Sequence, residues 1–330
     1  MTRGPTISIV ITSRENSSAK KLMLLLERLS ELTYSQAEFI VVIEGSSVLF
    51  AMVQAKAKSS ARSKINCYLV PEGIGASASR NIGIRHSTGE LIAFLDDDVV
   101  VPKSWANEVV QTFALSDSII GMVGPVLPSW WSVDMNWFPN ELLWLVSCTG
   151  WLGYSRVVPI VGHTWTSNAT FRREAFTDRT MFSEDLGPRG GTPGWRRRHV
   201  SEDVELSVRI QHSSRRAVVF SPGCWVWKQI PPSALSWTHI QECAFGIGIS
   251  RVSKRQLVSA EIGQVYQTEA KLLKGILLRL MPISVVDILT RRHHGWRKLS
   301  LSFFALFFLA VGFLYGSVFG VNIGDPCARG

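Results

Sequence analysis

The feature that most limits the fold is a short apolar run, Leu91-Ile92-Ala93-Phe94-Leu95, that ends in three consecutive carboxylates, Asp96, Asp97 and Asp98. The run has the length of a buried strand and is bounded by turn and polar signals. In an open α/β sheet, ligands bind in the crevice beyond the carboxyl ends of the strands. Three acids at such a point repel one another, so something must neutralise them. A hard divalent cation, held by one or two carboxylates together with phosphate oxygens, is an economical solution. A solvated acidic turn is the alternative.

The chain before this run alternates strand-like and helix-like segments. Thr6–Ile11, Phe39–Ile43 and Ile65–Val70 read as strands; Ala19–Leu32, Val48–Ala61 and Ile74–His86 read as helices. A further helix is expected from near Pro102, an allowed first-turn residue. This alternation predicts a parallel, doubly wound sheet with Thr12, Glu44 and Asp96 at strand C-terminal ends. No Gly-x-Gly-x-x-Gly or Walker-type loop follows the first strand, which disfavours dinucleotide and P-loop chemistry.

The second half changes character. Trp130, Trp131, Trp137, Phe138, Trp144, Trp151 and Trp165 crowd residues 126–166, as a groove lining, a membrane interface or ordinary core. A Gly/Pro-rich loop, Leu186 to Trp195, followed by Arg196-Arg197-Arg198, is a candidate lid or a solvated basic loop. Ser201-Glu202-Asp203 has the composition of a helix N-terminus; its acids serve as caps or as a general base.

Lys271 to Leu289 reads as a basic amphipathic segment lying on a membrane and broken at Pro282. From Leu299 to Ile323 no residue is charged, which exceeds the roughly 20 residues needed to span a bilayer. Arg291, Arg292, Arg297 and Lys298 precede it, so the positive-inside rule predicts a single-pass protein with a cytoplasmic body and the C-terminus outside. No signal peptide is read at the N-terminus. The net charge of +9 favours an anionic partner: nucleotide, lipid phosphate or membrane surface. Nucleic acid is the weakest option, because the charge clusters near the membrane segment and no recognised module is present. The five scattered cysteines, with no Cys-x-x-Cys, fit a reducing compartment rather than a disulfide or zinc scaffold.

Taken in order, Pro71 to Ile84, Gly89 to Asp98, Asn168 to Phe176 and Glu202 to Arg209 resemble the motif set of the family 2 glycosyltransferases of the GT-A fold, over about residues 5 to 250. Trp225 to Pro232, Ala244 to Ser250 and the C-terminal apolar helix resemble archaeal members that act on dolichyl-phosphate-linked glycans. The resemblance implies a GT-A α/β domain over 1–255, mainly a parallel sheet flanked by helices. A juxtamembrane segment (256–298), a transmembrane helix (299–323) and a short tail (324–330) follow. It implies an inverting, metal-dependent transfer from a nucleotide sugar, expected to be UDP-linked, to a lipid-linked glycan.

Under that resemblance, Thr12 and Glu44 lie at the base and ribose, and Arg80, Asn81, Asp96 and Asp97 hold the donor. Asp96 and Asp98 are the metal pair for Mg2+ or Mn2+. Asp203 is the base and Glu202 its neighbour. The chemistry agrees: a metal stabilises a departing diphosphate, and a hydroxyl needs a carboxylate to take its proton. Three departures stand out. Thr12-Ser13-Arg14 replaces a Thr-Tyr-Asn type of loop, and Ile43-Glu44 leaves one acid where two are common. Lys228 stands where many relatives carry a histidine that ligates metal, and a protonated lysine has no lone pair. Either the site uses fewer protein ligands, or Lys228 contacts the diphosphate, or His239 or His163 substitutes. Two other functions stay open: a polyprenyl-phosphate sugar synthase with the lipid phosphate as nucleophile, and a non-catalytic glycan-binding membrane protein.

Overall fold

The computed structural model describes residues 4–14, 19–59, 64–130, 135, 137–159, 164–184, 202–257, 270–292 and 294–319. Strands β1 (Ile7–Arg14), β2 (Ala37–Glu44), β3 (Lys64–Val70) and β4 (Leu91–Asp96) pair in parallel in the order β3-β2-β1-β4. Helices α1 (Ala19–Ser30), α2 (Ser47–Ser59) and α3 (Ala76–His86) connect them. In α1, Leu22, Leu25, Leu26 and Leu29 are buried, which is the helical spacing legible in the sequence. Ile7 to Ile11 of β1 are buried on both faces, as a parallel strand between helical layers requires. α3 lies so close to β1 that a Cβ at Gly83 would stand 2.2 Å from Val10 Cγ1.

The sheet is not parallel throughout. β9 (Asn168–Arg172) enters antiparallel between β4 and β6 (Ile119–Val123); β10 (Ala217–Phe220) continues parallel to β6, and β8 (Val158–Pro159) closes the edge. The register Thr12–Asp96 and Arg14–Glu44 brings the ends of β1, β2 and β4 to one level. A second sheet forms just past Asp98, from β5 (Val99–Val100), β11 (Val226–Ile230) and β7 (Val126–Trp130) in the order β5-β11-β7. Lys228 lies opposite Val99 there, and the Gln229 N–H donates to the Asp98 carbonyl at 2.8 Å.

Two expected boundaries move. α4 (Trp105–Ala114) starts after Pro102, which sits in the preceding turn with its carbonyl accepting from the Trp105 N–H at 3.0 Å. Pro282 does not break the basic segment: residues 270–275 are helical and run through a π-helical turn, Ile276–Leu280, into α7 (Met281–Leu289). A widened turn relieves the steric clash and missing donor that proline brings to a helix.

α5 (Glu202–Ser214) precedes β10, and α6 (Trp237–Leu257) follows β11. α8 (Gly295–Phe319) is long and apolar enough to cross a membrane by length and composition; residues 320–323 of the expected span lie outside the described residues. One face of α8 is already occupied. Leu301, Ala305, Leu309, Gly312 and Gly316 are buried, and the helix lies along α6. Trp237 meets Phe304, Phe245 meets Gly312 and Tyr315, and Ile249 meets Gly316, so the two helices run in the same direction. The opposite face, with Phe303, Phe307, Leu314 and Val318, is exposed.

The approach of α6 and α8 depends on glycine. A Cβ at Gly248 would stand 2.2 Å from the Leu309 carbonyl oxygen, and one at Gly312 would stand 2.1 Å from that of Phe245. Gly312→Ala raises intrinsic helix propensity by up to about 1 kcal/mol. It is nevertheless expected to destabilise the chain by about 1–3 kcal/mol, because backbone must move apart. A lowered midpoint of thermal unfolding in detergent is the expected readout; a raised midpoint would mean the helices are not in this contact.

Candidate active site

A cavity of about 520 Å3 opens at the carboxyl ends of β1, β2 and β4. β1 contributes Thr12, Ser13 and Arg14; β2 contributes Glu44; β4 and the residue after it contribute Asp96 and Asp97. Ser79 and Arg80 come from α3, and Glu202 and Asp203 from the first turn of α5. The far wall is built by Trp144, Thr164 to Ser167, and Ser250 and Arg251 of α6.

Charge pairing holds the acidic floor together. The buried Arg80 guanidinium donates from Nη1 to Glu202 Oε1 at 3.1 Å and faces Asp96 Oδ1 from Nη2 at 3.8 Å. Glu202 Oε2 is buried with no hydrogen-bond partner among the described residues. An orphaned acceptor of this kind is costly and marks a place where a ligand's donor fits. Lys228 Nζ donates to Asp98 Oδ1 at 2.6 Å and to Asp96 Oδ2 at 3.2 Å. Burial disfavours the charged form of Asp96, but the Lys228 ammonium and the Arg80 guanidinium outweigh it and hold the carboxyl below the usual aspartate range. Burial likewise opposes the charge on Lys228, yet Asp98 and Asp96 push its ammonium above the ordinary lysine range.

Seven of the expected site residues thus line one cavity: Thr12, Glu44, Arg80, Asp96, Asp97, Glu202 and Asp203. Asn81, Asp98 and Lys228 are not part of its lining. Asn81 acts as a strut: its amide donates to the Phe182 carbonyl at 2.9 Å and to Glu184 at 3.1 Å, and its oxygen accepts from the Phe182 N–H. Glu44 Oε1 accepts from the Gly73 N–H at 2.8 Å, tying β2 to the turn before α3, while Oε2 faces Arg14 Nε at 3.6 Å. Ser13 donates to Asp97 at 2.7 Å. Asp203 Oδ1 accepts from the Val204 N–H at 2.8 Å, so the acid also caps its helix.

His239 contacts Cys243 on α6, away from the cavity lining. His163, Ser201, the Leu186–Trp195 loop and Arg196 to Arg198 lie outside the described residues. Cys67, Cys148, Cys224 and Cys243 are free thiols.

The expected Mg2+ or Mn2+ meets a physical difficulty. Among the described residues no three His, Cys, Asp or Glu side chains gather where they would hold a metal ion. Asp96 and Asp98, the expected metal pair, both bind the Lys228 ammonium. A divalent ion between them would stand against a positive group that has no lone pair to offer. The described residues therefore do not fit a resident metal; the cation paired with Asp96 and Asp98 at the end of β4 is Lys228.

Trp144, one of the aromatic residues expected to line a groove, meet a membrane or pack in the core, lines the cavity, and its Nε1 is buried without a hydrogen-bond partner among the described residues. Sequence reasoning did not single out Arg251, which directly follows the Gly246–Ser250 run of α6. The aromatic stretch itself divides. Trp144 and Trp165 face the cavity, whereas Trp137 stacks on His294 at 5.6 Å and lies under the Arg297 guanidinium, next to α8.

Residues 8–179 match the family model described as Glycosyl transferase family 2. The chain is 24% identical over 216 residues to the glucosyl-dolichyl phosphate glucuronosyltransferase of Haloferax volcanii, covering 65% of this chain and 66% of that protein. It is 26% identical over 178 residues to the succinoglycan biosynthesis protein ExoM of Rhizobium meliloti, covering 52% and 50%. The chain thus spans about two thirds or less of the lengths of these relatives. Among solved structures it resembles the mannosyltransferase PcManGT from Pyrobaculum calidifontis in complex with GDP-Man and Mn2+, with a TM-score of 0.61, 14% identity, and 95% and 88% of the two chains covered. It also resembles S. aureus TarS in complex with UDP-GlcNAc, with a TM-score of 0.52, 12% identity, and 97% and 95% covered. These likenesses establish the GT-A fold.

The Lys228 pairing predicts a pH signature. A carboxylate with a depressed folded pKa contributes stability above its unfolded value, 3.8 for aspartate, and loses it as pH falls through the folded value. An ammonium with a raised folded pKa contributes below its unfolded value, 10.5, and loses it above. Lys228→Met is expected to cost on the order of 3 kcal/mol near neutral pH. In denaturant melts the difference from the parent chain stays level between these limits and narrows below about pH 4. A difference that grows on acidification would mean that Asp96 is not the partner.

Proposed function

Because this chain belongs to glycosyl transferase family 2, we propose that it transfers a sugar from a nucleotide-sugar donor, UDP-linked in this reading, to a polyprenyl- or dolichyl-phosphate-linked glycan. One observation carries the proposal: Asp96 and Asp97 at the end of β4, and Glu202 and Asp203 at the start of α5, far apart in sequence, line the same cavity. The lipid-linked acceptor is supported by the name of the Haloferax relative, and a nucleotide-sugar donor by the ligands in the two solved neighbours' titles.

The chemistry follows from those positions. The acceptor hydroxyl is a poor nucleophile near neutral pH, and Asp203 takes its proton as the oxygen attacks the anomeric carbon. A new glycosidic C–O bond forms while the C–O bond to the diphosphate breaks, and the electron pair leaves with the nucleoside diphosphate. Arg14, Arg80 and Arg251 in the cavity wall stabilise that developing charge. A single in-line displacement inverts the anomeric carbon. Glu202 is anchored on Arg80, and its unpartnered Oε2 suits a sugar or acceptor hydroxyl.

Residues 1–255 form the transferase unit of this reading and 256–330 its membrane attachment. The outward face of α8 and the exposed Leu278, Ile283, Val286 and Leu289 of the segment before it are apolar, and Arg291, Arg292, Arg297 and Lys298 lie where the two segments meet in the chain. α8 is the membrane anchor of this reading, a helix long and apolar enough to cross a bilayer, with the basic side chains that precede its apolar stretch at the headgroups of the cytoplasmic leaflet.

Two measurements test these statements. Asp203→Asn is expected to lower kcat by about 10²- to 10⁴-fold while donor affinity stays near normal; a lipid phosphate nucleophile, already anionic, would be indifferent to the change. For the membrane, charge reversal at Arg291, Arg292 and Arg297 is expected to weaken binding to anionic vesicles by roughly 1 kcal/mol per residue in flotation assays. A chain with α8 as a crossing anchor is expected to stay membrane-bound through alkaline carbonate washing; its release would overturn the crossing.

A further inference from the structure

We propose that Lys228 is a built-in counter-charge that takes the place of the divalent metal, so that donor binding and transfer proceed without Mg2+ or Mn2+. The inference rests on the transferase reading above and concerns the same site.

The position of Lys228 is fixed by backbone. β11 pairs with β5 at Lys228–Val99 and with β7 at Lys228–Pro128, and the Gln229 N–H binds the Asp98 carbonyl. The side chain is only 13% exposed and ends between two carboxylates, at 2.6 and 3.2 Å. It is therefore held, not sampled. An ammonium offers donors and no lone pair, so it cannot join a metal's ligand shell and repels any divalent ion beside Asp98. A histidine at the same position would do the opposite, since a neutral imidazole ligates metal.

Lys228 is a positioning residue, because it stands outside the cavity lining. Its effect reaches the donor through Asp96, which does line the cavity. With Asp96 and Asp98 neutralised from below, the negative diphosphate meets a floor whose repulsion is reduced. Arg14, Arg80 and Arg251 are then the groups that hold it. The same division of charge appears in other anion sites, where guanidinium groups bind phosphate oxygens directly.

The test uses the full chain in detergent, with UDP as the probe, titrated calorimetrically in EDTA and in Mn2+. The parent chain is expected to bind UDP equally in both buffers and to retain sugar transfer in EDTA. Lys228→Met is expected to weaken UDP binding roughly 10- to 100-fold in EDTA, because Asp96 and Asp98, no longer offset, repel the diphosphate. Lys228→Arg keeps metal-free binding, and Lys228→His binds UDP well only when Mn2+ is added. These two variants retain a polar partner for the aspartates, so they decide the question even if Lys228→Met fails to fold. UDP affinity in the parent chain that rises about tenfold or more on adding Mn2+ overturns the proposal and leaves the transferase reading intact. A parent chain that binds neither UDP nor GDP in either buffer removes the transferase reading, and this inference with it.

Discussion

Mutual repulsion among carboxylates at the end of a sheet is the constraint that organises this protein. Asp96, Asp97, Asp98, Glu44, Glu202 and Asp203 converge within one small region, and each must be compensated or exposed. The solution is a set of short-range partners drawn from distant parts of the chain. Arg80 from α3 bridges Asp96 and Glu202, Lys228 from β11 bridges Asp96 and Asp98, Ser13 holds Asp97, and Gly73 and Arg14 hold Glu44. Each partner thereby also fixes an element, so the electrostatics of the floor and the assembly of the walls are one problem. Glu202 Oε2 and Trp144 Nε1 are among the buried polar atoms without a hydrogen-bond partner among the described residues, and both residues line the cavity.

The same economy extends to the membrane side. α6 supplies Ser250 and Arg251 to the cavity wall and, through Gly248, the close contact that receives α8. The hydrophobic core is continuous from the sheet through Leu272, Ile276 and Leu280 to Leu301, Ala305 and Leu309. A helix that looks in sequence like an independent anchor is thus half a core element. The apolar residues it leaves outside, Phe303, Phe307, Leu314 and Val318, remain exposed.

Much of this was legible in the order of residues. Alternating apolar runs of strand and helix length placed β1 to β4 and α1 to α3 within two or three residues, because those elements are buried by neighbours close in the chain. The acidic strand end and the Glu202-Asp203 pair were visible as residue types that a phosphate and a hydroxyl require, and Arg80 through the family resemblance alone; Asp96, Asp97, Arg80, Glu202 and Asp203 line one cavity. Asn81, expected at the donor through the family resemblance, has its amide engaged by backbone at Phe182 and is not part of the cavity lining.

The sequence by itself determined the parallel half of the sheet, the place of the carboxylates at its edge, and a C-terminal region too apolar for water on all sides. Each follows from local periodicity or composition. Only tertiary structure decided that β9 enters antiparallel, that Lys228 pairs with both Asp96 and Asp98, that Arg251 lines the cavity, and that α8 lies along α6. Those outcomes depend on pairings between residues remote in the chain, and no spacing along one strand or helix encodes which distant partner will cancel a charge or cover an apolar face.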